Sequence, residues 1–290
     1  MIINEFEEKK RQFLNYIETE KNLALNTCRA YKIDLEQFSQ FWNTAQERRQ
    51  RDLTFQEAVV AYNVSISSKK IDKRSVARKL SALSSLVKFL KKNGIEFDVK
   101  FERPSIEKKA LHFLKDEDIT FLVEQLPTEK LLTHRPARDR AILELLYSTG
   151  IRCSEVVEIK IQDIDWNART ILIQSKRKKS RVVEFGIRAS FQLREYIKNE
   201  RIKDQDGIDE GYLFLNNRCQ KLTTRSIQRI CEMFEKFLEQ GKMITPHILR
   251  HSFAINMLSQ GMDIKRVEEL LGLKTLAITK QYDLKPQETI

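Results

Sequence analysis

Val76, Leu80, Leu83, Val87 and Leu90 step along the chain by 4, 3, 4 and 3 residues. That is the period of an α-helix with one apolar face, not the two-residue period of a strand. Residues 74–92 are therefore committed to a helix whose apolar stripe must be buried against other elements. The same spacing joins Tyr31, Leu35, Phe38 and Trp42 within a helix at 25–46, with two more helices expected at 3–20 and 53–66. A short break at 21–24 separates the first pair, and Asn93-Gly94 ends the last helix. Four helices of this size make a small bundle. Turn formers are scarce, with 8 glycines and 5 prolines, which again favours a mostly helical protein.

A chain of 290 residues fits two domains better than one, because single cores stop growing near this size. The polar stretch 101–112, with Pro104 inside it, reads as a linker between a domain at 1–100 and a second at 113–290. Beyond it, helices are expected at 115–126, 137–148 and 154–159, the last after a break at Thr149-Gly150. Others follow at 188–201, 223–240, 247–260, 264–272 and 275–282. One segment differs in kind. TILIQS (170–175) and RVVEF (181–185) are β-branched and apolar, and KRKKS lies between them, which predicts a β-hairpin with a basic tip. The expected fold class is mostly α: an N-terminal four-helix bundle, then an α-helical domain containing a small β-hairpin.

Charge narrows the function. The net charge is +11; residues 1–110 carry 22 Lys and Arg against 15 Asp and Glu, and the remainder 30 against 26. Two basic halves suggest a polyanion that touches both. Arg74, Arg78 and Lys79 are expected on the outward face of the 74–92 helix, where they suit phosphate contacts that position the bundle on a duplex. Cys28, Cys153, Cys219 and Cys231 form no C-x-x-C pair, so buried free thiols in a reducing cytoplasm are expected and no metal is. The N-terminus has no apolar signal segment, and no run approaches the ~20 apolar residues of a membrane span. Neither nucleotide-binding glycine motif is present, so no cofactor is expected.

Several short segments carry groups suited to metal-free phosphodiester chemistry. That chemistry needs a nucleophile, cations on the non-bridging oxygens and an acid for the leaving oxygen. In TPHILRHS (245–252), Thr245 can cap a helix and Pro246 suits its first position. His247 and Arg250 then share a face on the first turn, where the dipole favours an anion. In GIRCSEV (150–156), Arg152 opens a helix and Glu155, three residues on, can orient it by a charge-assisted hydrogen bond. The basic hairpin tip offers an acid. Lys176 ends the first strand and is better held there than Lys178 or Lys179 in the turn. Arg177 and Lys179 are further candidates for DNA contact.

GIRCSEV, the hairpin lysine, HILRHSFA, ELLGL and a terminal tyrosine stand in the order and approximate spacing of the tyrosine recombinase family, which this chain resembles over nearly its whole length. In length it is most similar to Xer-type members. NTCRAYKIDLEQFSQFW and SVARKLSALSSLVKFL resemble the family's core-binding domain, which the resemblance assigns to 1–100, with the catalytic domain at 113–290. The resemblance implies that Arg152 and Arg250 bind the scissile phosphate, with Glu155 supporting Arg152. Lys176, 24 residues after Arg152, is implied as the general acid, His247 as the partner of Arg250, and Tyr282 as the nucleophile. Leu273 departs from the family, which places His or Trp nine residues before the tyrosine. Eight residues follow Tyr282, a shorter tail than the one many members dock on a neighbouring subunit.

What the resemblance implies is cleavage and rejoining of DNA through a 3′-phosphotyrosyl intermediate, without ATP or metal. It further implies a double-stranded recombination site as substrate and a homo- or hetero-tetramer with a related recombinase. A DNA translocase is a further candidate partner. Xer-like resolution of chromosome or plasmid dimers is the expected role. The alternatives are an integrase of a phage, plasmid or transposon, and a catalytically silent DNA-binding relative, for which Leu273 is the one support.

Overall fold

In a computed structural model, which describes residues 1–68, 70–105, 112–174, 180–201 and 210–272, the chain divides into two units, Met1–Lys109 and Ala110–Ile290. Unit 1 contains α1 (Ile3–Thr19), α2 (Leu25–Arg49), α3 (Phe55–Ser68) and α4 (Lys73–Lys92). The second helix runs past the expected end at residue 46, until Gln50 turns left-handed at φ 50°. Asp72 caps α4 by accepting from the N–H of Arg74 and of Ser75, two of the unpaired donors that every helix start presents.

The apolar faces of these helices meet in one core. Phe6, Phe38, Trp42 and Phe55 are fully buried, and their ring centroids lie 5.3 to 6.0 Å apart in tilted, stacked and edge-on pairs. Such pairs contribute about 0.5–1.5 kcal/mol each beyond the area they bury. The indole N–H of Trp42 donates to the Leu53 carbonyl at 3.1 Å, so the largest side chain buries no unpaired polar atom.

The stripe of α4 differs from expectation in two places. Leu86 is fully buried where Val87 is only partly so. Lys79 is not on the outward face: it is 9 % exposed, and its ammonium donates to Asp34 at 3.3 Å and to Gln37. Position 79 follows Val76 by three and precedes Leu83 by four, so helical geometry turns it inward. The buried Asp34 carboxylate, which also accepts from Arg78 at 2.5 Å, supplies the charge that a buried ammonium requires.

Unit 2 is built around α6 (Pro136–Thr149), which packs on α8 (Ile187–Asn199), α9 (Thr224–Glu235) and α10 (Pro246–Ser259). Ala141 to Tyr147 of α6 are buried without interruption, as befits a helix covered on all sides. Before it, α5 (Asp116–Thr120) continues as a π-helical turn over Phe121–Gln125. After it come the single turn α7 (Cys153–Val156), shorter than expected, and near the end α11 (Ile264–Leu271).

The expected strands are present as β2 (Thr170–Ile173) and β3 (Arg181–Glu184), antiparallel, with Ile173 opposite Arg181. A two-residue strand, β1 (Ile164–Asp165), pairs on the other edge of β2. Ile171, Ile173 and Val183 face the core, and Leu172 and Val182 face out. The hairpin tip at 175–179 and the expected helix at 275–282 lie outside the described residues. All four cysteines are free thiols, but only Cys231 is buried; the other three are half-buried, Cys28 in the first turn of α2, Cys153 at the start of α7 and Cys219 in a bend. Among the described residues no helix is long and apolar enough to cross a membrane.

Candidate active site

Gly150 is the hinge of the site. It ends α6 at φ 60°, a backbone state that costs glycine little. A Cβ there would lie 2.5 Å from Phe253 of α10 and 2.8 Å from Leu271 of α11. The absent side chain lets the α6–α7 turn, α10 and α11 close on one another, and the arginines of three segments converge there.

Arg152 is the residue before α7. Its N–H donates to Glu155 Oε2 at 2.7 Å, its Nη1 to Glu155 Oε1 at 3.0 Å, and its Nη2 to the Gly272 carbonyl at 3.2 Å. Arg250 lies on α10, whose start is capped by Thr245 accepting from the N–H of Ile248 at 3.1 Å, with Pro246 in the first turn. Its Nη1 donates to the Gly150 carbonyl at 2.5 Å and its Nη2 to the Leu271 carbonyl at 2.6 Å. The structure thus brings Arg152, Glu155 and Arg250 together from segments about a hundred residues apart.

A third guanidinium that the sequence reading did not select completes the cluster. Arg181, the first residue of β3, grips Glu155 with both arms, Nη1 to Oε1 at 2.9 Å and Nη2 to Oε2 at 2.8 Å. Its Nε donates to the Leu270 carbonyl at 3.0 Å. The available signal is an arginine opening the short strand RVVE, obscured by the basic run before it.

These contacts set the electrostatics. Burial pushes the Glu155 carboxyl up, but the hydrogen bonds from Arg181 and the Arg152 N–H, with the charges of both arginines, outweigh it and hold the group down to about 2. Burial, and then the nearby Arg152, lower Arg250 to about 10, Glu155 partly offsetting them. Arg250 therefore stays protonated at neutral pH. Three guanidiniums and one carboxylate leave a formal excess of about two positive charges in a partly buried recess, a fit for a phosphodiester that gains charge as it reacts.

His247 is exposed on the first turn of α10, one turn before Arg250, and the half-buried His251 stands one turn beyond His247 on the same strip. Burial, followed by His247 and Arg250, lowers the pKa of His251. Lys176, Arg177, Lys179, Leu273 and Tyr282 lie outside the described residues. Of the basic residues on α4, Arg74 is exposed and Arg78 is half-exposed while paired with Asp34.

The chain matches the model of the phage integrase family over residues 112–288 and that of the phage integrase N-terminal SAM-like domain over residues 11–94. It is 34% identical over 288 residues to tyrosine recombinase XerC of Oceanobacillus iheyensis, spanning 97% of this chain and 92% of that one. With XerC of Thermodesulfovibrio yellowstonii it shares 37% identity over 276 residues, 93% of this chain and 89% of the relative. Among solved structures, XerH site-specific recombinase bound to its difH substrate superposes with a TM-score of 0.73 at 21% identity, covering 94% of this chain and 81% of that one. That likeness is one of fold.

Proposed function

The chain belongs to the phage integrase family, and with that as premise we propose that it is an Xer-like tyrosine recombinase that cleaves and rejoins double-stranded DNA at a specific site through Tyr282. The observation that carries this reading is the convergence of Arg152 and Arg250 on the turn at Leu271 and Gly272, ten residues before that tyrosine. Each guanidinium has five N–H donors, so donors remain for the two non-bridging oxygens of a scissile phosphate.

In the proposed reaction the Tyr282 oxygen attacks phosphorus and passes its proton towards His247. The bond from phosphorus to the 5′-oxygen breaks, and Lys176 protonates the departing oxygen. His247 assists proton transfer. The phosphotyrosyl ester conserves the energy of the broken phosphodiester; a second 5′-hydroxyl then attacks it, forming a new P–O5′ bond and releasing Tyr282, so no ATP is consumed. The XerC names of relatives at this identity favour chromosome or plasmid dimer resolution over mobile-element integration. The working form is a homo- or hetero-tetramer on two DNA sites in the cytoplasm, with a DNA translocase as a further partner. Arg74 and Arg78 on unit 1, and Arg177 and Lys179 in the hairpin tip, contact the backbone of the duplex.

The test is covalent capture. The full chain is incubated with nicked fragments of its source genome, and DNA that stays attached to protein on a denaturing gel is sequenced. One recurrent site is expected, and Tyr282→Phe should abolish attachment while binding persists. A covalent adduct in Tyr282→Phe would move the nucleophile elsewhere.

A further inference from the structure

The proposed reaction gives Arg181 no task, although it touches both Glu155 and the end of α11. We propose that Arg181 is a positioning residue for DNA cleavage, which fixes Arg152 through Glu155 and sets the end of α11 from which Leu273 and Tyr282 follow. The proposal rests on the recombinase reading.

The direction in which Arg152 points is only as fixed as the carboxylate it leans on. Both Glu155 oxygens are shared: Oε1 accepts from Nη1 of Arg152 and of Arg181, and Oε2 from the Arg152 N–H and Nη2 of Arg181. A two-armed guanidinium grip sets the plane of a carboxylate, whereas a single ammonium does not. The Arg181 side chain is 16 % exposed against 32 % for Arg152, so it lies beneath the phosphate-binding surface and supports it. Its Nε meanwhile holds the Leu270 carbonyl.

Arg181 also joins elements that are distant in the chain. Arg181 opens β3 opposite Ile173, at the base of the hairpin that bears Lys176. One side chain thereby ties β3 to the turn of Arg152 and to the end of α11. Loss of Arg181 would also leave Glu155 balanced against Arg152 alone, so the excess charge offered to a phosphate would fall. Misplacement by about 1 Å is enough to cost on the order of 10²-fold in rate.

The test uses the full chain and the duplex recovered by covalent capture. At saturating DNA, Arg181→Lys should cleave about 10²-fold more slowly in a single turnover, with affinity for the uncleaved duplex near wild type. Combining it with Glu155→Gln should add little to the slower single variant, as expected for two members of one relay. A second duplex carries a neutral methylphosphonate at the scissile position; the Arg181→Lys defect should shrink there, because Arg152 has less charge to offset. Wild-type cleavage by Arg181→Lys, a loss confined to DNA affinity, or equal slowing on both duplexes, as a general folding defect would give, overturns the proposal. If the wild-type chain captures no DNA, the recombinase reading fails and takes this inference with it.

Discussion

Glu155→Gln removes one negative charge from among three guanidiniums and leaves the shape of the side chain almost unchanged. The carboxyl is held down to about 2 from its ordinary 4.5, and one pKa unit corresponds to about 1.4 kcal/mol. With Glu155 only 15 % exposed, little is lost to solvent screening, and the ionised form contributes about 3 kcal/mol to folding at neutral pH. Because the native value lies below the unfolded one, this contribution is fully present above about pH 4.5 and is lost as pH falls through about 2. The variant should therefore melt about 5–10 °C below wild type at pH 7. In urea titrations the gap should narrow from about 3 kcal/mol at pH 5 to under about 1 kcal/mol at pH 2.5. Identical melting at pH 7, or a gap that does not close in acid, would refute the claim that this carboxylate holds the cluster together.

Three further outcomes can be checked directly. DNA affinity should fall about 10³-fold or more between 50 and 200 mM salt, as expected if roughly six phosphates are neutralised; a flat response in a filter-binding series would remove the backbone-contact role of both units. Lys79→Ala should lower stability by about 1–3 kcal/mol in denaturant titration and weaken DNA binding less than Arg74→Ala, since its amine is turned to Asp34 and Gln37; the opposite ranking would return Lys79 to the DNA face. Leu273→His should hold or raise the single-turnover cleavage rate, by up to about 10²-fold, because leucine supplies no donor where the family places one; a large fall with folding intact would assign Leu273 a packing role.

The helices were legible because burial of one face imposes a period, and Leu35, Phe38, Trp42, Leu80 and Leu83 follow it. Lys79 shows where that reading slips: its charge suggested the outer face, but its register put it in the core, and only the tertiary partner Asp34 makes that placement tolerable. The two-residue β1 is too short to display an alternation at all; its local marks are the Asp165 carboxylate accepting from the N–H of Asn167 and Ala168 and the left-handed Arg169. In the site, the Arg152–Glu155 contact spans three residues and could be read locally. The Arg181–Glu155 grip joins a strand to a helical turn 26 residues away, and nothing in the composition near Arg181 separates it from the basic tip that precedes it.

The three arginines share one further property that no single motif contains. A helix leaves its last carbonyls without intrahelical donors and carries partial negative charge at that end. In α11 those carbonyls belong to Leu270, Leu271 and Gly272, and they accept from Arg181, Arg250 and Arg152 in turn. Three cations this close would repel one another; the helix end and Glu155 together offset that repulsion. The same contacts fix the exit direction of the chain at Gly272, whose φ of 58° turns it away from the helix axis. On the proposed reading, a scissile phosphate that draws on the remaining guanidinium donors is bound by groups already anchored to the turn at Leu271 and Gly272. A change to any of the three arginines should, on that reading, disturb both phosphate binding and the turn at Gly272.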